Sequence, residues 1–475
     1  MTYEEFILSK LKVKQKNGFK IERNEINLKA FEFQKDIVQW AVKKGKCAIF
    51  ADCGLGKTIM QGEWARLVHE HTKGNILILA PLGVTRQTKE ECKNILDIDI
   101  QICRTMEDVK DGINITNYEN IDKFDTTKFI GVILDESSIL KNFVGKTKVK
   151  LAKAFKDTKY KLSLTATPAP NDYLELLNQA DFLDIMEAGK ALATWFINDM
   201  KTGEWRLKGH AVQGFWEWVS SWAVLIDKPS DLGYPDDGFV LPKHNEITKI
   251  IEVDMIDTDM ENNSFIRNIE LSATSYYKEK RRTAQERAEV TAEIVNNTRE
   301  QFIVWCDTNE EADLLKKMIP DAKEVRGSDK QQYKEDTAYQ FKSGEIRVLI
   351  SKPKIFGYGM NFQNCNNAVF CGRNFSFEDY YQGYKRLLRF GQRKEVNTWT
   401  VIGSTELKIL EIVKEKQDKQ LQMKENISNC IKGIQLSNFT GKKIERAKKN
   451  MEIEIPEWIR SEEKYAVYNE ERSAV

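Results

Sequence analysis

Short, continuously apolar runs recur along the chain, and each is closed by small or polar residues. In the first half they are Lys46–Phe50, Asn75–Ala80, Gly112–Tyr118, Phe129–Leu134 and Lys161–Leu164; in the second they are Gln301–Cys306, Ile346–Ser351 and Ala368–Cys371. Stretches of helical periodicity stand between them: Phe31–Trp40, a segment opening at Ile59, Thr85–Asn94, Glu310–Met318 and one ending near Phe341. A strand that is apolar throughout has both faces covered, so the pattern predicts parallel sheets with helices on either side. In such sheets, chemistry gathers at the carboxyl ends of the strands.

The texture changes between the two halves. Trp195, Trp205, Trp216, Trp218 and Trp222 cluster with Phe196 and Phe215, and read as the core of a small helical insertion. Base stacking is the alternative, and it needs exposed rings on a basic groove. Asp227–Gly238 is rich in turn residues and predicts a loop, followed by a strand over Ile247–Asp254. Met260–Asn297 reads as a long polar helical stretch, with Lys278–Arg282 a solvated charged face. A short amphipathic helix is expected over Tyr3–Leu11, and a charged one over Glu406–Lys424. The expected division is 1–190 for a first α/β domain, 191–250 for the aromatic insertion and linker, 251–430 for a second α/β domain and 431–475 for a basic and acidic tail.

One loop carries the chemistry. Ala51-Asp52-Cys53-Gly54-Leu55-Gly56-Lys57-Thr58 fits the phosphate-loop pattern, with a strand before it and a helix after it. Gly54 and Gly56 would let successive N–H groups point inward at a polyphosphate, and the helix adds its positive end. Lys57 would reach the β- and γ-phosphates, and the Thr58 hydroxyl would sit on Mg2+. Asp135 and Glu136 close an apolar strand. There, one acid would hold the metal and the next would orient or deprotonate a water. The bland alternatives are a Gly-rich turn and a solvent-facing charged strand end. Gln34 opens a helix near the loop, where its amide could pair with an adenine edge or simply face solvent. Arg386 and Arg389 lie three apart, so a helix would project both from one face. They read as arginine fingers or as a basic face for nucleic-acid phosphates.

Bulk composition narrows this little further. At 475 residues the chain exceeds one core, and 73 Lys+Arg against 72 Asp+Glu announce no nucleic-acid role through net charge. The 8 cysteines include no Cys-x-x-Cys pair, and His69 and His71 lack a second pair of ligands, so buried free thiols are expected rather than zinc or disulfides. Without an apolar signal core or a spanning stretch, the expected setting is cytoplasmic, with no membrane partner.

From Phe31 to Lys416 the order of features resembles the superfamily-two helicases and translocases, and among them the Swi/Snf-like group. The phosphate loop looks like that group's Asp-Glu-Met-Gly-Leu-Gly-Lys-Thr, and Gln34 falls where its adenine-reading glutamine falls. Leu79–Leu82 resembles motif Ia, Ile115–Glu119 motif Ib, and Asp135–Ser138 with Lys141-Asn142 the Asp-Glu-x-His box. Leu164–Pro168 resembles motif III, Gly357–Phe362 motif V, and Gln382–Gln392 motif VI. Three positions depart: Ser138 stands where the family has a His that helps couple the domains, Phe356 where motif V has Gly, and Ala166 where the Swi/Snf-like group has Gly. None of them removes a phosphate or magnesium ligand. The compact size resembles helicases of bacteriophages and prophages.

The resemblance implies two RecA-like parallel-sheet domains in tandem, binding ATP and Mg2+ in the cleft between them. The first would supply Gln34, Gly54, Gly56, Lys57, Thr58, Asp135 and Glu136; the second would supply Gly359, Gln382, Arg386 and Arg389. DNA, read without sequence preference, would lie across both domains near Pro81, Thr116, Arg326 and Gly359. The expected activity is that of a DNA helicase or translocase, a monomer serving phage or mobile-element DNA metabolism beside a replication or recombination protein. An RNA helicase, and a nucleotide-gated DNA-binding switch or loader, stay open as alternatives.

Overall fold

The computed structural model describes residues 18–81, 84–141, 145–169, 172–199, 205–253, 279–356, 360–374 and 376–407, with 410, 411, 414, 417 and 418. The helix expected at Tyr3–Leu11, the tail from 431 and the part of the polar stretch at 260–278 lie outside them. So do most residues of the helix expected at Glu406–Lys424.

Fifteen strands are described. In the first half they are β1 (Lys46–Ala51), β2 (Asn75–Ala80), β3 (Ile100–Ile102), β4 (Ile113–Asn117), β5 (Phe129–Asp135), β6 (Tyr160–Thr165), β7 (Phe196–Asn198), β8 (Trp205–Leu207) and β9 (Ala223–Ile226). In the second half they are β10 (His244–Ile251), β11 (Phe302–Trp305), β12 (Ala322–Val325), β13 (Val348–Ser351), β14 (Asn367–Cys371) and β15 (Val396–Gly403). The first sheet runs β3-β4-β2-β5-β6-β1-β9, and the second runs β10-β15-β14-β11-β13-β12. Every pairing in both is parallel. β7 and β8 form a separate antiparallel pair. This is a tandem of RecA-like α/β domains.

The unbroken apolar runs have the physical cause expected for covered parallel strands. Successive side chains point to opposite faces. Cys47, Ile49, Ile76 and Ile78 therefore join one buried cluster, and Ala48, Phe50, Leu77 and Leu79 the other. The second sheet repeats this, with Ile303 and Leu349 on one face and Val304 and Ile350 on the other.

The aromatic segment differs from its expected place. Trp195, Trp216, Trp218 and Trp222 are buried, so they are core, but the core is that of the first domain. The helix Val212–Trp222 runs directly into β9, which pairs with β1. The segment is therefore an edge of the first sheet and not a separate insertion. Its strand has only four residues, Ala223–Ile226, and is too short for a period to distinguish it from the helix before it. The second boundary shifts as well. β10 begins at His244 and pairs along its length with β15, so the second sheet starts before 251. β3, β7, β8, β12 and β15 were also not among the expected strands.

The described thiols match expectation: Cys47, Cys92, Cys103, Cys306, Cys365 and Cys371 are buried and free, while Cys53 is half-buried. Among the described residues no helix is long and apolar enough to cross a membrane.

Trp218 packs at 5.5 Å from Trp222 and 5.9 Å from Trp195. Trp218→Ala should lower the stability of the first domain by about 3–5 kcal/mol, as for other buried aromatics. Trp205, 36% exposed, should tolerate Ala within about 0.5 kcal/mol. Denaturant unfolding compares the two. Equal midpoints would show that the indole cluster does not hold this domain together.

Candidate active site

β1 ends at Ala51, and the helix Lys57–Thr72 opens after a loop that only glycine can trace as it stands. Gly54 and Gly56 take φ of +91° and +77°. Space makes the same demand. A Cβ on Gly54 would lie 2.7 Å from the Phe390 backbone nitrogen of the second domain, and one on Gly56 would lie 2.3 Å from Gln34 Nε2. Lys57 Nζ donates to Ala51 O at 2.9 Å, and Lys57 and Thr58 both line a cleft of about 320 Å³.

Gln34 is buried against this loop. Its Nε2 donates to Leu55 O at 2.9 Å, and its Oε1 accepts from Phe31 N at 3.0 Å. Each end of the amide keeps one further hydrogen-bonding position, and the residue lines the cleft. Gln34 is thus a brace for the phosphate loop as well as a wall of the cleft.

Asp135 and Glu136 stand at the carboxyl end of β5, both nearly buried. Gln61 Nε2 donates to Asp135 Oδ2 at 3.1 Å, and Tyr118 Oη donates to the Asp135 carbonyl at 2.7 Å. Burial, and then the charge of Glu136, push the Asp135 carboxyl up to about 6, while Lys57 pulls the other way. Glu136 adopts φ of +56°, a conformation costly for a residue with a side chain. Thr165 Oγ1 donates to Glu136 Oε2 at 3.3 Å, and Thr165 is itself held by Thr167 N at 3.1 Å.

The second domain contributes Arg386 and Arg389. The helix Phe377–Tyr384 ends before either, so their alignment on one face does not come from helical spacing. It comes from a shared acceptor: Met360 O takes Arg386 Nη1 at 3.2 Å and Arg389 Nη1 at 3.0 Å. Arg386 Nη2 lies 3.9 Å from Cys53 Sγ in the phosphate loop. Among the described residues neither guanidinium is paired with a carboxylate, and burial and the neighbouring Arg386 charge lower the pKa of Arg389. Both line the same cleft as Lys57, Thr58, Asp135 and Glu136.

Two expected residues are not found lining the cleft. Gln382 is fully buried and does not line the cleft; its Oε1 and backbone carbonyl both accept from Arg386, so it holds the arginine rather than a nucleotide. Gly359 lies outside the described residues. Of the positions expected near nucleic acid, Pro81 lines a second cavity of about 480 Å³ between the domains. Thr116 is buried, and Arg326 pairs with Glu324 and Asp313.

Several partners went unread in the sequence. Asp52 Oδ1 accepts from Tyr381 Oη at 2.7 Å across the cleft, and its Oδ2 lies 3.5 Å from Lys385 Nζ. Gln87 Oε1 accepts from Asn361 N at 3.0 Å, also across the cleft. Asp52 belongs to the phosphate loop, and Tyr381 and Lys385 flank Gln382. Their nearness to motifs was the available signal.

Comparison with family models matches both halves of the chain. Residues 33–208 match the SNF2-related domain, and residues 285–391 match the helicase conserved C-terminal domain. Human TATA-binding protein-associated factor 172 is 26% identical over 204 residues, covering 35% of this chain and 11% of that protein. The chain thus spans about a tenth of that relative's length. A solved Sulfolobus solfataricus SWI2/SNF2 ATPase core in complex with dsDNA is 16% identical, covering 89% of this chain and 99% of that chain, with a TM-score of 0.41. With an SNF2-related domain on the first sheet and a helicase C-terminal domain on the second, the chain belongs to the Swi/Snf-like group of superfamily two.

Proposed function

We propose that the chain is an ATP-driven motor that moves along duplex DNA, its two domains closing on each ATP and relaxing after hydrolysis. The observation that carries this reading is the pair of guanidinium groups, Arg386 and Arg389, which meet no carboxylate among the described residues and face the phosphate loop across one cleft. Cations held in a low-dielectric cleft without acidic partners make a site for a polyanion.

The roles follow from position. Backbone N–H groups of the phosphate loop and Lys57 hold the β- and γ-phosphates. Glu136, fixed by Thr165, orients the attacking water and takes its proton. Arg386 and Arg389 stabilise charge gathering on the transferred phosphoryl group. Magnesium fits the donors present: the Thr58 hydroxyl and Asp135 carboxylate are hard oxygens on one cleft, and buried Asp135 and Glu136 leave negative charge there to be balanced. When bound, such an ion supplies further neutralisation of the polyphosphate oxygens. Among the described residues no cluster of three or more His, Cys, Asp or Glu could hold a metal, as suits an ion shared with a phosphate substrate.

For the track, Lys334 and Lys354 line the second interdomain cavity with Pro81 and Tyr118, and supply cations that contact phosphate without reading bases. The likeness of motif VI to Swi/Snf-like proteins favours DNA over RNA. A second reading, a nucleotide-gated DNA-binding switch, draws on Ser138. Among the described residues its side chain makes no hydrogen bond across the cleft, where the resembling family couples its domains.

Lys57→Ala should abolish ATP binding, and Glu136→Gln should keep binding while turnover falls by about 10²-fold or more. Equilibrium binding and phosphate release separate the two, and full turnover in Glu136→Gln would remove that residue from its assigned role. Arg386→Ala and Arg389→Ala should each cut kcat by about 10³-fold with little change in nucleotide affinity. For the track, ATP-dependent displacement of a triplex-forming strand from duplex DNA is expected. DNA-stimulated hydrolysis without displacement would favour the switch instead.

A further inference from the structure

One cross-domain ion pair lies beside the acid and the arginines yet belongs to neither group. Lys141 Nζ meets Glu378 Oε2 across the domain interface. The two are unequally placed: the Lys141 side chain is 39% exposed and that of Glu378 only 7%. The other carboxylate oxygen of Glu378 is buried and meets no donor among the described residues. Among the described residues Lys141 is thus the cation paired with a carboxylate withdrawn from water, and such pairs depend strongly on both partners.

Each partner leads along rigid backbone to a reacting group. The short turn Ser137–Leu140 joins Glu136 directly to Lys141. That turn is pinned from below: buried Asn178 donates to Leu140 O at 2.9 Å and Lys141 O at 3.1 Å, and Gln179 donates to Ser137 O at 2.8 Å. On the other side, Glu378 lies in the first turn of the helix Phe377–Tyr384, whose N-terminus is capped by Ser376. The same helix carries Gln382, which grips Arg386. Both Lys141 and Glu378 line the second interdomain cavity, and Glu136 lines that cavity as well as the nucleotide cleft.

We propose that Lys141 and Glu378 are a positioning pair for hydrolysis, one bond that registers the Glu136 turn against the segment carrying Arg386. Neither touches the substrate. The pair sets the distance between water-activating acid and arginine only when the domains are closed, so its loss slows turnover without weakening nucleotide binding. This role presupposes that the cleft hydrolyses ATP as proposed above. Burial raises the Glu378 pKa and Lys141 lowers it, with the nearby charge of Glu136 also felt, which agrees with the placement.

The test is a double-mutant cycle on DNA-stimulated ATP hydrolysis. Lys141→Met and Glu378→Gln should each lower kcat about tenfold with KM for ATP within about twofold, and the double variant should be no slower than the slower single. Lys141→Arg, which keeps charge and reach, should retain at least about half of the wild-type kcat. Additive losses, unchanged kcat in both singles, or Lys141→Arg as impaired as Lys141→Met would overturn the pairing. A shared rise in KM would do the same, because it would mark a binding role. Absence of turnover in the wild type, or full turnover in Glu136→Gln, would instead strike the hydrolysis reading itself.

Discussion

Two like charges held close together, neither of them paired with a carboxylate among the described residues, are the constraint on which the molecule turns. Arg386 and Arg389 share a single carbonyl, Met360 O, and the field of one disfavours the charge on the other. A folded chain accepts such an arrangement only if the rest of the structure over-determines it. Here Gln382 is buried to hold Arg386 from behind, and the backbone after the helix Phe377–Tyr384 turns so that both side chains face the phosphate loop. On the proposed function, the balancing negative charge is that of the nucleotide. That makes closure of the two domains and occupancy of the cleft parts of one equilibrium.

The first domain is built to the same end. Its strands deliver Ala51, Asp135 and Thr165 at their carboxyl ends, side by side in the order β5-β6-β1. The αL conformation at Glu136 lets its carboxylate reach Thr165. Gly54 serves closure as much as phosphate binding, since the approach of Phe390 leaves no room for a methyl group there. The hydrogen bonds and ion pairs across the interface, among them Asp52 to Tyr381, Gln87 to Asn361 and Lys141 to Glu378, are polar, and Phe390 adds an edge contact to Phe31 at 6.0 Å. An interface of that kind can open at modest cost, as an element that alternates between two states requires.

Much of this was legible in the sequence, for a physical reason. Covered parallel strands need residues such as those of Asn75–Ala80 on both faces, and that run is visible without knowing the neighbours. The phosphate loop was legible because few residues other than glycine tolerate its backbone. What escaped depended on tertiary context. β9 is four residues long and borrows its identity from pairing with β1. The arginines were placed on a helix because their spacing allowed one, but the chain leaves the helix at Lys385 and a carbonyl aligns them instead. Gln382 was assigned to the nucleotide because its motif is, whereas burial gives it to Arg386. No local pattern announces Asp52 with Tyr381, or Gln61 with Asp135, since each pair joins segments far apart in sequence.

The near-zero net charge also resolves once charges are followed to their partners. Many cations are consumed by acids of the chain: Arg287 is buried with Glu311 and Glu406, buried Lys161 pairs with Asp184, and Arg326 pairs at the surface with Glu324 and Asp313. These pairs cancel in the field outside the molecule as they cancel in the sum. What a polyanion would feel is the remainder, and in the cleft that remainder is Lys29, Lys57, Arg386 and Arg389 set against Glu91, Asp135 and Glu136. Four cations against three acids leave a locally positive cleft inside an overall balanced chain. Net charge is therefore silent about this site because pairing, and not composition, decides which charges act.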